Sequence, residues 1–244
     1  MKDVIMTVTA QRALTENVYE LKLRGDVSRI TRPGQFVNLL LDGLYLRRPI
    51  SVCDLEQDTL TLVYKVVGRG TGQMTALRPG QQISVLTGLG NGYDTALAGP
   101  RPVLVGGGVG VPPLYLLARR LRDEGREVRV VLGFNTGAEV FYADRFRALG
   151  CETVVTTADG SLGIRGFVTA ALPEDATHIY ACGPEPMLRA VYRASDAPAS
   201  LSFERRMGCG FGACMGCSCK TVTGYKRICK EGPVMQREDI LWED

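Results

Sequence analysis

The sequence contains little of several features that mark common classes of site. It has one histidine in 244 residues, which excludes most metal sites and catalytic triads built on imidazole. Its 29 basic and 26 acidic side chains leave a net charge of only +3, and the basic residues are scattered, so nucleic acid is not expected as a partner. The longest apolar runs have the length of strands, so no membrane-spanning segment is expected.

The remaining composition is that of a soluble globular protein. Hydrophobic residues make up 45% and charged residues 23% of a chain long enough for two domains. The N-terminus alternates like a strand and lacks the apolar core of a signal peptide. We therefore expect a cytoplasmic protein, in a compartment where thiols remain reduced.

Cysteine, by contrast, is abundant and clustered. Five of the eight cysteines lie between Cys209 and Cys229, which in a reducing compartment indicates metal ligation rather than disulfides. Cys209, Cys214 and Cys217 form a C-x4-C-x2-C pattern, and Cys229 follows after eleven intervening residues. This is the plant-type spacing of a [2Fe-2S] cluster.

Other interpretations of the cysteines are weaker but remain open. A structural zinc site also uses four cysteines, but it normally has two short Cys-x2–4-Cys pairs, and the second pair is absent here. Glycines between the cysteines would allow unusual backbone angles and leave amide hydrogens free to approach the sulfurs. Cys219 follows Cys217 by two residues, and we expect it to begin a strand rather than to be a ligand.

The first part of the chain has the patterning of β-structure. Alternating or β-branched runs occur at 3–9, 17–24, 35–41, 59–67 and 82–87. Turn sequences such as Arg-Pro-Gly separate them, so we predict an antiparallel barrel or sandwich with one short helix near 71–77.

From residue 99 onward, apolar strand runs alternate with helical patterns. Strands are predicted at 102–107, 127–134, 152–157, 178–183 and 200–204, and helices at 112–123, 139–149, 166–172 and 185–195. This alternation is typical of a parallel sheet covered on both faces. We thus predict three regions: a β-barrel domain at 1–98, an α/β domain at 99–200 and a cysteine-rich loop region at 201–244.

Short motifs in the barrel region have the chemistry of a nucleotide site. In Arg48-Pro49-Ile50-Ser51, the guanidinium suits a diphosphate and the serine could reach the edge of a flavin ring. Val63-Tyr64-Lys65 ends a later strand, and Gly68-Arg69-Gly70-Thr71 then opens a helix. A glycine-rich turn at a helix N-terminus can hold phosphate.

Two further loops follow strands of the predicted parallel sheet. The glycine-rich segment 106–113 has the position of a dinucleotide loop, although G-x-G-x-x-G is not met, and a simple tight turn is an equal alternative. Cys182-Gly183-Pro184 ends a later strand in the same way, at the edge where open sheets bind ligands. His178 is given no role, and Cys53 and Cys151 are expected to be core or surface thiols.

Taken in order, these motifs resemble those of the ferredoxin-reductase superfamily. Within it, the run F-E-R-R-M-G-C-G-F-G-A-C-M-G-C at 203–217 and C-K-E-G-P-V at 229–234 resemble the electron-transfer subunits of dihydroorotate dehydrogenase. The resemblance extends over essentially the whole chain, and the cysteine segment is its most specific part.

The resemblance implies a set of cofactor-binding residues. For FAD they are Arg48, Pro49, Ile50, Ser51, Val63, Tyr64, Lys65, Gly70 and Thr71. For NAD(H), as substrate, they are Gly106, Gly107, Gly108, Gly110, Cys182, Gly183 and Pro184. For the [2Fe-2S] cluster they are Cys209, Cys214, Cys217 and Cys229. The segment 133–137 lacks the arginine that a 2′-phosphate would need, which favours NAD over NADP.

The resemblance also implies a function in pyrimidine biosynthesis. Electrons from dihydroorotate would pass through an FMN-containing catalytic partner subunit, the cluster and FAD to NAD+, in a heterotetramer with two copies of each subunit. Two alternatives remain: a small subunit of an NADH-dependent ferredoxin:NADP+ oxidoreductase or sulfhydrogenase, which shares this architecture, and a zinc-stapled binding module without flavin.

Overall fold

The structure, a computed structural model, describes residues 1–242 and contains fifteen strands and four α-helices within them. The strands are β1 (Lys2–Ala13), β2 (Val18–Arg24), β3 (Phe36–Leu39), β4 (Arg48–Glu56), β5 (Thr59–Lys65), β6 (Gln82–Leu89), β7 (Pro102–Gly107), β8 (Arg129–Phe134), β9 (Glu152–Thr157), β10 (Ile164–Arg165), β11 (His178–Cys182), β12 (Ala199–Ser202), β13 (Ser218–Thr221), β14 (Gly224–Arg227) and β15 (Val234–Gln236). The helices are α1 (Arg69–Met74), α2 (Pro113–Asp123), α3 (Ala143–Ala148) and α4 (Glu185–Ala194). Within residues 1–242, no helix is long and apolar enough to cross a membrane.

The first six strands close into an antiparallel barrel in the order β1-β2-β5-β4-β3-β6. Alternate side chains fill its interior, including Leu21 and Leu23 of β2 and Leu60 and Leu62 of β5, all fully buried. The predicted barrel is therefore confirmed. The sequence pattern did not predict β4, because its opening Arg-Pro resembles a turn; a proline is nevertheless tolerated at the start of a strand.

The second sheet has the order β10-β9-β8-β7-β11-β12-β15, and all of its strands except β15 are parallel. All six residues of β7 are buried, as expected for a sheet covered on both faces. From β7 the chain proceeds through β8, β9 and β10 on one side and then returns to β11 on the other. The strand order therefore reverses between β7 and β11, where open sheets form a ligand crevice.

Two predicted helices are shorter in the structure. The helix expected at 139–149 is limited to α3, because Tyr142 has a φ of 68°, a left-handed conformation that a right-handed helix cannot pass through. The helix expected at 166–172 is a single 3-10 turn at Val168–Ala171. The other helices, α1, α2 and α4, lie within two residues of their predicted starts.

The cysteine-rich region has more regular structure than the predicted loop. The strands β13 and β14 form an antiparallel hairpin, and β15 pairs antiparallel with β12 at the edge of the large sheet. The C-terminal region therefore packs against the parallel sheet. It also contacts the barrel, since Asn91 donates hydrogen bonds to the carbonyls of Glu231 and Val234.

The barrel and the parallel sheet are connected by buried polar contacts. Glu20 of β2 accepts a hydrogen bond from the Tyr142 hydroxyl at 2.6 Å and pairs with Arg145 of α3 at 2.8 Å. Asp54 of β4 pairs with Arg119 of α2 at 2.9 Å. These contacts fix how the two halves face each other.

Candidate functional site

The four cysteines predicted as ligands form two pairs in the structure. The Sγ atoms of Cys217 and Cys229 are 3.2 Å apart, and both residues are 2% exposed. Cys209 and Cys214 form the second pair, in which the amide nitrogen of each lies 3.4 Å from the sulfur of the other. The first pair is buried and the second is at the surface.

Backbone amides surround these sulfurs. Ala213 donates to the Cys209 sulfur at 3.2 Å, and the amide of Cys229 donates to Cys217 at 3.4 Å. Burial opposes ionisation of Cys209, but hydrogen bonds from the amides of Cys214 and Phe211 outweigh it and lower its pKa to about 6. At Cys209 the loop therefore favours the thiolate, the form that binds metal.

The buried pair needs a positive charge to ionise fully. Burial, followed by the neighbouring Cys217 thiol, raises the pKa of Cys229 to about 12. Two thiolates at such a distance repel each other, and a bound metal ion would supply the compensating charge.

The pairing distinguishes between the two kinds of metal site. Zinc requires four ligands around a single ion, whereas a two-iron cluster takes two thiolates on each iron. Across residues 1–242, no three cysteine, histidine or carboxylate side chains lie close enough together to hold one ion. Two separate pairs thus fit a two-iron cluster better than zinc.

Cys219 belongs to neither of the two pairs. It is part of β13, so the predicted strand after Cys217 is confirmed, and it stands opposite Lys226 of β14. Burial raises the pKa of its thiol.

Within the barrel, the structure brings two of the predicted flavin motifs together. Arg48 at the start of β4 lies against Gly70, so closely that a Cβ on Gly70 would be 2.0 Å from the Arg48 Nε. The first amides of α1 have no acceptor inside the helix. A guanidinium and free amides side by side suit a diphosphate, and only glycine at position 70 allows this approach.

The other barrel residues have different environments. Pro49, Ile50 and Ser51 continue along β4, while the side chains of Val63 and Tyr64 on β5 are 4% and 2% exposed. Lys65 is half-buried at the end of β5, and the hydroxyl of Thr71 accepts hydrogen bonds from the amides of Val67 and Gly68.

The two predicted nucleotide loops meet at the crevice of the parallel sheet. Gly106 of β7 is in register with Cys182 of β11. A Cβ on Gly110 would lie 2.2 Å from the Cys182 carbonyl oxygen, and one on Gly107 would lie 2.5 Å from the Met187 sulfur. Glycine thus allows the two loops to touch.

The remaining members of these loops border the same crevice. Gly108 has a φ of 53° and has no atom within 4 Å of a Cβ position, so its backbone faces open space. Gly183 packs on Met187, and Pro184 precedes α4. Burial raises the pKa of the Cys182 thiol to about 12, so it stays protonated.

The segment 133–137 contains the end of β8 and the turn that follows it. Asn135 donates to the carboxylate of Glu139 through its amide at 3.2 Å and through its side chain at 3.0 Å. A carboxylate at this edge disfavours a 2′-phosphate, in agreement with the predicted preference for NAD.

Asn38 was not found by sequence reasoning. It is a buried residue of β3 whose side-chain amide donates to the carbonyl of Cys209 at 3.4 Å. It therefore connects the barrel to the cysteine loop. Nothing in its local sequence signals this contact.

Comparison with known proteins decides which family has this combination of sites. Residues 204–241 match the model of the iron-sulfur cluster binding domain of dihydroorotate dehydrogenase B, and residues 104–193 match the oxidoreductase NAD-binding domain. The chain is 44% identical over 252 residues to the electron transfer subunit of dihydroorotate dehydrogenase B (NAD(+)) of Geobacillus thermodenitrificans, with 97% of each chain covered. It is 46% identical to the corresponding subunit of Bacillus caldolyticus, with the same coverage. The chain belongs to this family.

Solved structures agree with the assignment. The NADH-dependent reduced ferredoxin-NADP oxidoreductase, studied for flavin-based electron bifurcation, superimposes with a TM-score of 0.88 and 29% identity, covering 97% of this chain and 90% of that one. A ferredoxin NADP+ reductase from Neisseria gonorrhoeae with bound FAD and NADP gives a TM-score of 0.70 at 18% identity over 80% of this chain and 90% of that one, which shows the shared fold.

Membership in the dihydroorotate dehydrogenase B family confirms the main functional prediction over its alternatives. The chain is an oxidoreductase subunit that transfers electrons in NAD-dependent dihydroorotate oxidation, a step of pyrimidine biosynthesis. The predicted cofactors, FAD, a [2Fe-2S] cluster and NAD(H), agree with the two domain matches and the reductase fold. An electron transfer subunit works with a separate catalytic subunit.

Proposed function

We propose that this chain holds its [2Fe-2S] cluster through Cys209, Cys214, Cys217 and Cys229. The observation that carries the proposal is the arrangement of these four thiols in two pairs, each surrounded by backbone amides. Hydrogen bonds from amides stabilise the thiolate form and help to set the reduction potential of a bound cluster. Cys219 takes no part.

The FAD and nucleotide sites are proposed from the two other groups of residues. Arg48 and the turn around Gly70 and Thr71 bind the diphosphate of FAD, Pro49, Ile50 and Ser51 face its ring, and the backbone of Val63, Tyr64 and Lys65 borders it. The loops at Gly106–Gly110 and Cys182–Pro184 receive NAD(H), with NAD preferred to NADP because of the Glu139 carboxylate. The division of the chain into barrel (1–98), α/β (99–200) and cluster (201–244) regions follows these three sites.

The combination of NAD(H), FAD and an iron–sulfur cluster in one chain has a chemical reason. A bound flavin exchanges two electrons with nicotinamide as a hydride and single electrons with an iron–sulfur centre, so it can serve both. The chain's own residues bind and orient these groups.

The partner is proposed to be an FMN-containing catalytic subunit, in a cytoplasmic heterotetramer with two copies of each chain. Its contact surface includes the cluster loop, because electrons pass only between nearby centres. Support comes from Phe211 and Met215, apolar residues between the cysteines that are 43% and 53% exposed. Exposed apolar side chains at this position suit burial against another subunit.

Cofactor analysis of protein purified without oxygen tests the proposed sites. We expect about one FAD, two irons and two acid-labile sulfides per chain. The visible spectrum should show both flavin and iron–sulfur absorption. Stoichiometric zinc without iron would contradict the cluster assignment, and absence of flavin would contradict the barrel site.

A further inference from the structure

Asn38 lies where the barrel meets the cysteine loop. Its side chain is 2% exposed, and its Nδ2 donates to the Cys209 carbonyl at 3.4 Å. Its Oδ1 is buried and has no hydrogen-bond partner within the described residues. Gly210, with a φ of 75°, packs so closely that a Cβ there would lie 2.0 Å from Nδ2. The backbone of the cysteine loop therefore packs directly against the Asn38 carboxamide.

The same residue borders the strand proposed to hold FAD. On β3, Asn38 is directly opposite Pro49 of β4, and Leu39 is opposite Arg48. Opposed residues of neighbouring antiparallel strands are about 5 Å apart. Asn38 thus has a flavin-site residue on one side and the backbone of a cluster ligand on the other.

A carboxamide at this position is unfavourable for stability alone. The buried Oδ1 without a partner carries a desolvation penalty, and the amide offsets it with a single long hydrogen bond, to the Cys209 carbonyl. Leucine has nearly the same shape as asparagine. The presence of an amide is therefore better explained by function than by folding.

We propose that Asn38 is a positioning residue for electron transfer between the flavin and the cluster. It fixes the Cys209 loop against the flavin strand, and its N–H contributes to the polar surroundings that set the cluster's reduction potential. The inference rests on the cofactor sites proposed above and adds a residue that joins two of them.

The test uses the full chain with both cofactors and needs no partner subunit. Asn38→Leu removes both polar atoms and keeps the shape. We expect unchanged iron and FAD content, a shifted midpoint potential of the cluster, and a Tm close to that of the wild type, because loss of the unpaired Oδ1 offsets loss of the donor to the Cys209 carbonyl. The rate at which NADH reduces the cluster, followed by stopped-flow absorption, should fall about tenfold. The rate of NADH oxidation with a dye should stay within about twofold.

Two further variants make the result specific. Asn38→Asp keeps the shape but replaces the donor with a negative charge, so the cluster potential should become more negative. Thr156→Val is the matched control, because Thr156 also has a buried hydroxyl without a partner, on β9 of the other sheet. It removes an unpaired buried polar atom far along the chain from the cysteine loop and should leave the cluster potential unchanged.

The possible outcomes separate this inference from the function on which it rests. Wild-type potentials and reduction rates in both Asn38 variants would overturn the positioning role alone, as would a clear loss of stability in Asn38→Leu with an unchanged potential. A wild-type chain whose cluster NADH does not reduce would overturn the proposed function, and the inference with it.

Discussion

At the scale of single residues, Cys219 distinguishes the ligand assignment from a simple count of cysteines. Alanine at Cys219 should leave the iron content and visible spectrum unchanged, since this residue pairs with Lys226 across the β13–β14 hairpin and its thiol is part of neither cysteine pair. Alanine at Cys209, Cys214, Cys217 or Cys229 should lose or cripple the cluster, because an iron is left without a thiolate. Iron, sulfide and absorption measurements on the five variants test this. Loss of the cluster in Cys219→Ala together with its retention in Cys229→Ala would reverse the assignment.

His178 has a structural environment that predicts a pH dependence. Burial lowers its pKa to about 4 from an ordinary value of 6.5. The Ser200 hydroxyl donates to Gln236 at 2.8 Å, so it accepts the proton of His178 Nε2 at 2.9 Å. The histidine is therefore neutral in the folded chain and is held by this hydrogen bond.

As the pH falls, His178 binds a proton in the unfolded chain before it does so in the folded chain. The contribution of the neutral histidine to the free energy of unfolding is therefore fully present above pH 6.5 and is lost as the pH falls towards 4. Between about pH 7.5 and pH 5, the stability advantage of the wild type over His178→Phe should shrink by about 1–2 kcal/mol. Urea unfolding at both pH values measures this. If the free energies of unfolding of the wild type and His178→Phe differed equally at the two pH values, the histidine would not be buried in its neutral form.

The role of a residue could be predicted from the sequence where a local motif indicates it. The spacing of Cys209, Cys214 and Cys217 and the glycines around them identify a cluster loop without any structure. Asn38 has no such mark, because its role comes from a contact with a residue 171 positions further along the chain. Reasoning from local pattern cannot find contacts of that range.

At the scale of elements, β2 and the start of α3 are joined by a buried charge. Glu20 is 3% exposed and pairs with Arg12 at 2.8 Å, with the Tyr142 hydroxyl at 2.6 Å and with Arg145 at 2.8 Å. Burial alone would raise the pKa of this carboxyl, but the hydrogen bonds from Arg12 and Tyr142 outweigh it and lower the pKa. The carboxylate thus stays charged between the two halves of the molecule.

Glu20→Gln is expected to lower the free energy of unfolding by about 1–3 kcal/mol, because the buried carboxylate loses its charge-assisted hydrogen bonds with Arg12, Tyr142 and Arg145. Asp58→Asn is the matched control: Asp58 forms an exposed pair with Arg24 at 3.8 Å, and its loss should cost less than about 0.5 kcal/mol. Urea unfolding compares the two. If both substitutions had similarly small effects on the free energy of unfolding, the contacts of Glu20 with Tyr142 and Arg145 would not hold the two halves of the molecule together.

Element boundaries depended on features that the sequence pattern does not show. The apolar run around 139–149 suits a helix, but Tyr142 adopts a left-handed conformation as its hydroxyl reaches Glu20 in the barrel. That tertiary contact shortens α3. The strand β4 was missed for the opposite reason, since Arg48 and Pro49 resemble a turn until the neighbouring strand β3 pairs with them.

At the scale of the whole molecule, residues 1–242 form surfaces suited to electron carriers and nucleotides. The barrel interior is filled by its own side chains, and the crevice of the parallel sheet is formed by glycine-rich loops suited to a dinucleotide. We expect the residues that oxidise dihydroorotate to come from the partner subunit.

Dihydroorotate-dependent reduction of NAD+ by the purified chain, alone and with its catalytic subunit, tests this division of labour most directly. Alone, the chain should oxidise NADH with an artificial dye and show no activity with dihydroorotate. Addition of the catalytic subunit should create dihydroorotate-to-NAD+ activity, and a cluster-free variant such as Cys217→Ala should lose that activity while keeping much of the dye reaction. Robust NAD+ reduction from dihydroorotate by the chain alone would contradict the account.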